Sequence, residues 1–514
     1  MATVNGEFAG NVDPGDHALE LAVRPPDWVN PVVGDRYDLI AIGGGTAGLV
    51  AAAGAAGLGV GLRVALIERD RLGGDCLNVG CVPSKALIRS ARVVGDLRRG
   101  SGLGVTVDGA IAVDFAAVMG RLRAVRGAIA PHDSAERFRR LGVDVFFGAA
   151  KFVGRDAIAV GGQTLRFKKA VIATGGRAAR PEIDGLESVG YHTNETIFEI
   201  RDRPDRLAVI GGGPIGCELA QTFQRLGAQV TLFQRGSQLL PKEEPAAAAI
   251  VQTSLQEDGV NILLETQPHR AEISATGEKL LHYRQADGTD AAIAVDTILL
   301  AAGRVPNVEG LDLETAGVDY DRSGVRVNDF LQTTNPKIFA AGDICMAWKF
   351  THAADAAARI ALKNALFAPL GLGRSRLSAL TVPWVTFTDP EVARVGLSET
   401  EAQAQERAIG VITIDLADVD RARTDGETDG FLKIIHAAGG DRILGATLVS
   451  RHAGETVSEL TTAIVGGIGL GQLASVIHPY PTQADCIKKA ADAYRRTLLK
   501  PRTRTLLRWI SRLS

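Results

Sequence analysis

A duplicated unit limits this chain's fold more than any other feature. The run Tyr37-Asp38-Leu39-Ile40-Ala41-Ile42 is apolar and strand-like, and it enters Gly43-Gly44-Gly45-Thr46-Ala47-Gly48 and an Ala-rich helical stretch. A further strand, 64–67, ends at Glu68. The pattern returns with a strand at 207–210, the run Gly211-Gly212-Gly213-Pro214-Ile215-Gly216 opening a helix, and a strand at 230–233. Strand, glycine turn and helix in that order form a dinucleotide-binding unit, in which backbone N–H groups and the positive helix end face a pyrophosphate. Two copies imply two dinucleotide sites. A glycine-rich turn without a ligand is the plainer alternative for each.

Glu68 follows Gly48 by twenty residues, where a carboxylate can accept hydrogen bonds from ribose hydroxyls. The second copy has Gln234 there, followed by Arg235. A carboxylate would repel a 2′-phosphate, whereas a neutral amide and a guanidinium can receive one. This favours NADPH over NADH, unless Arg235 is only a solvated loop residue.

At 514 residues the chain is too long for one core. Residues 1–35 read as an extension in which prolines 25, 26 and 31 break any regular element. The two nucleotide regions are expected at 36–184 and 185–300, with strands near 297–301 and 337–341 and a helix at 353–367. Residues 301–376 continue the first region. From 377 to 494, alternating stretches at 382–387, 431–435 and 444–449 predict an antiparallel sheet, with helices near 453–466 and 483–497. The fold class is α/β: two Rossmann-like domains and a smaller C-terminal α/β domain.

The segment Gly73-Gly74-Asp75-Cys76-Leu77-Asn78-Val79-Gly80-Cys81-Val82-Pro83-Ser84-Lys85 is the most specific in the chain. Cysteines five apart at the mouth of a helix can close a small disulfide ring, and the helix N-terminus would stabilise a thiolate at Cys81. Zinc is the rival reading, but no second Cys or Cys/His pair has suitable spacing. No permanent metal site is expected.

This segment closely resembles the redox centre of the pyridine nucleotide–disulfide oxidoreductases, a family that includes dihydrolipoamide dehydrogenase, glutathione reductase and mercuric reductase. Ala173-Thr174-Gly175, Gly303-Arg304-Val305-Pro306-Asn307 and Ala341-Gly342-Asp343 extend the resemblance over about 36–494. It implies FAD in the first site and a nicotinamide coenzyme in the second, with electrons passing from NADPH through flavin to a Cys76–Cys81 disulfide. By the same resemblance Cys81 is the thiolate against the flavin ring and Cys76 the interchange thiol facing substrate. Lys85 and Glu218 match an ion pair near flavin N5. Asp343 matches a contact to the ribityl or phosphate region. Ala150, Thr174 and Gly175 match contacts to the adenosine and pyrophosphate. Gly43, Gly45, Gly48, Glu68, Gly74, Arg304 and Gly342 complete the FAD set. Gly211, Gly213, Ile215, Gly216, Gln234, Arg235 and Gly303 form the NADPH set. The C-terminal domain is the family's dimerisation domain, so a homodimer is implied.

Two positions depart from the disulfide reductases. Where most members have His before Pro-Thr, and later Glu, this chain reads His478-Pro479-Tyr480-Pro481-Thr482-Gln483-Ala484-Asp485. A Tyr with a pKa near 10 is a poor general base at neutral pH. Mercuric reductases also carry Tyr here, beside the metal ion, so that branch is favoured, with Cys76 and Cys81 as transient ligands of Hg(II). Those enzymes end in a metal-capturing Cys pair, and residues 495–514 contain none. His478 could instead serve as the base of a thiol–disulfide reductase, or it packs at an interface. Cys217, Cys345 and Cys486 read as packing residues. Asp75 stands where the family usually has Thr, and its charge would disfavour a Cys76 thiolate.

Residues 495–514 hold seven Arg/Lys and no acid. Leu506, Trp509, Ile510 and Leu513 share one helical face, with Arg504, Arg508 and Arg512 on another. Such a helix can lie on an anionic membrane, making a membrane-docked redox sensor or electron carrier a third reading. The alternative is that it docks on the protein body. The start of the chain lacks a signal-peptide pattern, no run of about 18 apolar residues occurs, and five cysteines make no disulfide framework. A cytoplasmic protein is expected, with a small-molecule or metal-ion acceptor and no nucleic-acid partner.

Overall fold

Parallel pairing of the apolar runs builds the first layer. In the computed structural model, which describes residues 13–513, β1 (Tyr37–Ile42) lies between β2 (Val64–Glu68) and the long strand Gln163–Ile172. β3 (Val143–Phe147) continues the sheet beyond β2. On its other side, Ile338–Ala340 pairs with residues 170–172. A strand buried on both faces reads as an unbroken apolar run, and β2 is buried at all five positions. The far half of Gln163–Ile172 turns antiparallel, pairing with Ala157–Val160 and through it Lys151–Gly154.

The chain divides into two units. The first runs to Ser90 and takes in Val113–Pro204 and Thr297–Leu380. Residues 297–380 therefore belong with the first nucleotide region. The second unit comprises Ala91–Ala112, Asp205–Asp296 and Thr381–Ser514.

The N-terminal extension corrects one expectation. A regular element is present: α1, Pro14–Val23, buries Leu19 and Val23. Asp13 caps it by accepting from the N–H groups of Gly15 and Asp16, and Pro14 stands at its first position. The prolines expected to break structure lie beyond its end. Past them, Asn30 pairs twice with the Phe147 backbone, at 2.8 Å each way, and the Trp28 indole N–H donates to Val145 O.

In the second unit, Arg206–Ile210, Gln229–Phe233 and Asn261–Leu263 run parallel. Gln267–Ile273, Lys279–Arg284 and Asp290–Val295 form an antiparallel sheet that the sequence reading missed. The C-terminal part is a five-stranded antiparallel sheet, ordered 383–386, 391–396, 443–450, 431–437, 409–415. Helices Ala453–Gly466 and Asp485–Thr497 cover it, packing Val457, Leu460 and Ile487 into one core with Leu432, Ile434 and Leu448.

A buried charge cluster ties this unit internally. Arg225, side chain 2 % exposed, pairs with Asp258 at 2.8 Å and Asp389 at 2.7 Å, and Arg99 and Arg451 also reach Asp389. Burial alone would raise Asp389, but the three guanidinium charges hold it well below the usual carboxylate range. Its stabilising contribution is therefore complete above the unfolded-state value of about 3.9 and is lost as pH falls below it. Arg225→Met, which strands buried carboxylates, is expected to cost about 3–5 kcal/mol in denaturant unfolding; a loss under about 1 kcal/mol would show the cluster to be dispensable.

Candidate active site

The first glycine loop is stripped to bare backbone. Gly43 sits at φ +108°, and a Cβ there would lie 2.3 Å from Ala173 O; one on Gly48 would lie 1.8 Å from Gly43 O. Gly45 N-caps the eleven-residue helix α2 (Thr46–Ala56). Such a cradle, with unobstructed N–H groups at a helix start, fits the pyrophosphate of a dinucleotide. At the end of β2 the Glu68 carboxylate accepts from Gly44 N–H at 2.6 Å and Asp70 N–H at 2.7 Å. Burial raises its pKa against those two hydrogen bonds.

The second loop repeats the geometry with a neutral side chain. Gly211 lies at φ +115°, and the Gln234 amide oxygen accepts from Gly212 N–H at 3.1 Å. A Cβ on Gly213 would meet nothing within 4 Å, so this loop is open to a ligand. Gly213 caps helix Pro214–Arg225, which carries a buried Gly216 and an exposed Ile215. Arg235 is exposed.

The redox segment is two helices. α3, Gly74–Val79, carries Cys76; α4, Cys81–Arg99, begins at Cys81 and carries Lys85, half-buried, about one turn on. A Cβ on Gly74, at φ +54°, would lie 2.6 Å from Gly45 Cα, so the redox segment rests directly on the nucleotide loop. Both cysteines are free thiols. Hydrogen bonding to Cys81, then burial, drives the Cys76 thiol far above its ordinary range; Asp133 adds to this and Thr351 opposes it. The Thr351 hydroxyl lies 3.4 Å from Cys81 Sγ.

The sequence reading missed Thr351 and Asp133. Thr351 is 270 residues from Cys81, so no local pattern could show it. Burial raises Asp133, with Arg137 and His132 opposing.

Asp75 does not play the part expected of it. Its carboxylate pairs with Arg304, whose guanidinium also reaches Asp343 at 3.3 Å and donates to Gly176 O at 2.8 Å. The carboxylate charge that most raises Cys76 is that of Asp133. Burial would lower Arg304, yet the two carboxylates raise it. Burial raises Asp343, with Arg304 opposing. Nearby, the Thr174 hydroxyl donates to Asn307 O and the Asn307 amide to Thr174 O, both at 2.9 Å, while Asn307 N–H donates to Gly175 O. Gly303, at φ +120°, accepts from Ala179 N–H. Ala150 is buried before strand Lys151–Gly154, and Gly342, at φ +85°, packs against Ala47 and Ala354.

The remaining predicted residues lie in the second unit. Glu218, 6 % exposed, accepts from Phe387 N–H at 2.9 Å. Tyr480 is 73 % exposed and donates to Asp420 at 3.0 Å, which raises its pKa and leaves still less phenolate to accept a proton at neutral pH. His478 Nε2 lies 2.8 Å from Glu459 and its side chain is 4 % exposed, so its ring is engaged inside the domain. Asp485 starts helix Asp485–Thr497 and sits 3.6 Å from Lys489. Cys217, Cys345 and Cys486 are all pushed up by burial, the last two to about 12.

The family profile described as "Pyridine nucleotide-disulphide oxidoreductase" matches residues 37–358, and its "dimerisation domain" profile matches 382–491. The chain belongs to the class I pyridine nucleotide–disulfide oxidoreductases, flavoproteins with a redox-active disulfide. It is 34% identical over 493 residues to a mercuric reductase of Staphylococcus aureus, covering 96% of this chain and 88% of the relative. It is 33% identical over 467 residues to a dihydrolipoyl dehydrogenase of Thermus scotoductus, covering 89% and 97%. The Cu(II) complex of the HOCl-induced flavoprotein disulfide reductase RclA from Escherichia coli superposes with TM-score 0.77 at 28% identity, covering 91% and 100%.

Asp75→Asn removes one of the two carboxylates on Arg304. Flavin retention is expected to weaken about tenfold, the scale of one charge-assisted hydrogen bond, with no gain in Cys76 reactivity. Faster alkylation of Cys76 in the reduced holoprotein would instead put the Asp75 charge on the thiol.

Proposed function

We propose that this flavoprotein passes electrons from NADPH to a soft metal ion or other small electrophile through Cys76 and Cys81. The observation carrying the reading is the thiol pair of Cys76 on α3 and Cys81 at the start of α4, bridged by the Thr351 hydroxyl, in a chain with Tyr480 rather than an imidazole before Pro481-Thr482. Bound FAD supplies the step from hydride to an electron pair, which with two protons opens the disulfide to two thiols. Gly43, Gly45, Gly48 and Gly74 hold the dinucleotide backbone, Glu68 its ribose, and Arg304 and Asp343 the region beside the redox segment. Lys85, about one turn into α4, is the cation beside the ring. Cys76 and Cys81 then ligate the acceptor, and Tyr480 contributes a hydroxyl from the second subunit of a homodimer. A phenol whose one O–H is given to Asp420 has its oxygen lone pairs left to offer a ligand. The relatives named for mercuric reduction and for a Cu(II) complex support a metal-ion acceptor.

The second reading, disulfide reduction, rests on the dihydrolipoyl dehydrogenase relatives. In that reading His478, held by Glu459 at 2.8 Å, would be the base.

NADPH oxidation by the holoprotein with Hg(II) in excess small thiol is expected to be fast and to disappear in Cys76→Ala. Turnover equal to the oxidase background, with flavin still reduced by NADPH, would turn the reading to disulfides or quinones. For coenzyme choice, Arg235→Glu is expected to lower kcat/KM for NADPH by at least about tenfold, leaving NADH little changed, because one charged hydrogen bond is worth about 1.5–3 kcal/mol. An unaltered ratio would remove Arg235 from the site.

The tail is proposed to contact an anionic lipid surface. Helix Pro501–Ile510 leaves Leu506 and Trp509 54% and 61% exposed, on a segment rich in Arg and free of acids. No helix of the described residues is long and apolar enough to cross a membrane. The full chain should float with vesicles containing phosphatidylserine and not with neutral ones, and Trp509→Glu should abolish flotation. Flotation unaffected by that change would refute the proposal.

A further inference from the structure

The N-terminal helix lies outside the matched family region, yet it is bonded to the redox segment on both sides of Cys76. From its C-terminal half, Val23 O accepts from Leu72 N–H at 3.1 Å, Glu20 pairs with Arg71 at 3.0 Å and Arg24 pairs with Asp70. These three contacts hold the chain just before α3. From its N-terminal half, Asp16 accepts from Arg126 Nη2 at 2.9 Å. Arg126 lies on α5 (Phe115–Ile129), and its Nη1 donates to Asn78 O at 2.9 Å and Glu199 at 2.6 Å. Asn78 lies between the cysteines, and its own amide donates to Leu72 O at 3.0 Å and Gly74 O at 2.8 Å. The two helices meet without side chains between them: a Cβ on Gly15 would lie 2.4 Å from the Arg123 carbonyl carbon, and one on Gly127 would lie 2.7 Å from Gly15 O.

We infer that α1 is a brace for the redox pair, with Asp16 and Arg126 as positioning residues that fix α3 through the Asn78 carbonyl. This rests on the reading of Cys76 and Cys81 as a redox pair. Arg126 is 1% exposed. A guanidinium buried that deeply stays inside only while its charge is compensated. Asp16 supplies one carboxylate; the other, Glu199, is 44% exposed on its side chain. Without Asp16 the guanidinium follows Glu199 toward solvent and releases Asn78. A carbonyl two residues after Cys76 then loses its donor, and the thiol separation is no longer set. Disulfide formation depends steeply on that separation, so the loss falls on the exchange equilibrium and not only on folding.

The test uses the holoprotein in glutathione redox buffers, counting oxidised pairs by mass after quenching with a thiol-blocking reagent. Asp16→Asn is expected to shift the dithiol–disulfide equilibrium constant about tenfold and to slow Cys76-dependent turnover similarly. Direct flavin reduction of ferricyanide, which bypasses the pair, should be unchanged, and Asp16→Glu should restore much of the loss. Asn30→Ala, which loosens the same extension at Phe147, is the control and should leave the equilibrium at the wild-type value. Failure of the wild-type pair to form a disulfide would sink the redox-pair reading itself. A wild-type disulfide with an Asp16→Asn constant within about twofold of it would overturn the brace alone. Equal shifts in Asp16→Asn and Asn30→Ala would reduce α1 to general stability and also overturn it.

Discussion

The site depends on one backbone contact, that of Gly74 with Gly45. A Cβ on Gly74 would lie 2.6 Å from Gly45 Cα, whereas one on Gly45 would stay 3.7 Å from Gly74 Cα, so the close approach of the Cys76 segment to the glycine loop depends on glycine at position 74. Everything catalytic in the first unit is referenced to that contact. β1 and β2 place the loop, Glu68 closes it onto the Gly44 N–H, and α3 starts from it. A nucleotide bound as proposed would lie along the loop beside the thiols without any long side chain having to reach across.

Around this contact the structure uses charge sparingly and in compensated sets. Arg304 lies between Asp75 and Asp343; Arg126 lies between Asp16 and Glu199. In both, one arginine links a remote carboxylate to the redox segment. The Asp75 case shows why a carboxylate adjacent in sequence to a thiol need not oppose its ionisation. What matters is which way the side chain leaves the backbone, and an acid directed at a guanidinium contributes little charge elsewhere.

The duplicated units and most of the C-terminal sheet were legible because each carries a period or a glycine run of its own, whereas the antiparallel strands at 267–295 carry neither. The glycine loops and the Cys76–Cys81 segment were legible as local patterns, and Glu68 and Gln234 occupy equivalent places, each accepting from the second glycine of its loop. What stayed hidden is of two kinds. Thr351, Asp133 and Arg126 approach the site from distant parts of the chain, so only folding brings them there. The helix at Pro14–Val23 was hidden for a different reason: attention to prolines 25, 26 and 31 obscured the Asp13-Pro14 start signal, which reads as a cap and first turn.

Cys217, Cys345 and Cys486 are kept protonated by burial. Cys217 and Cys486 are also covered, whereas Cys81 is exposed, and a covered thiol is the poorer target for a heavy-metal cation. Of the chain's five cysteines, the exposed one is therefore Cys81, in the redox pair. A thiophilic reagent would meet Cys81 first, and the folded body would be spared cross-linking through its covered cysteines.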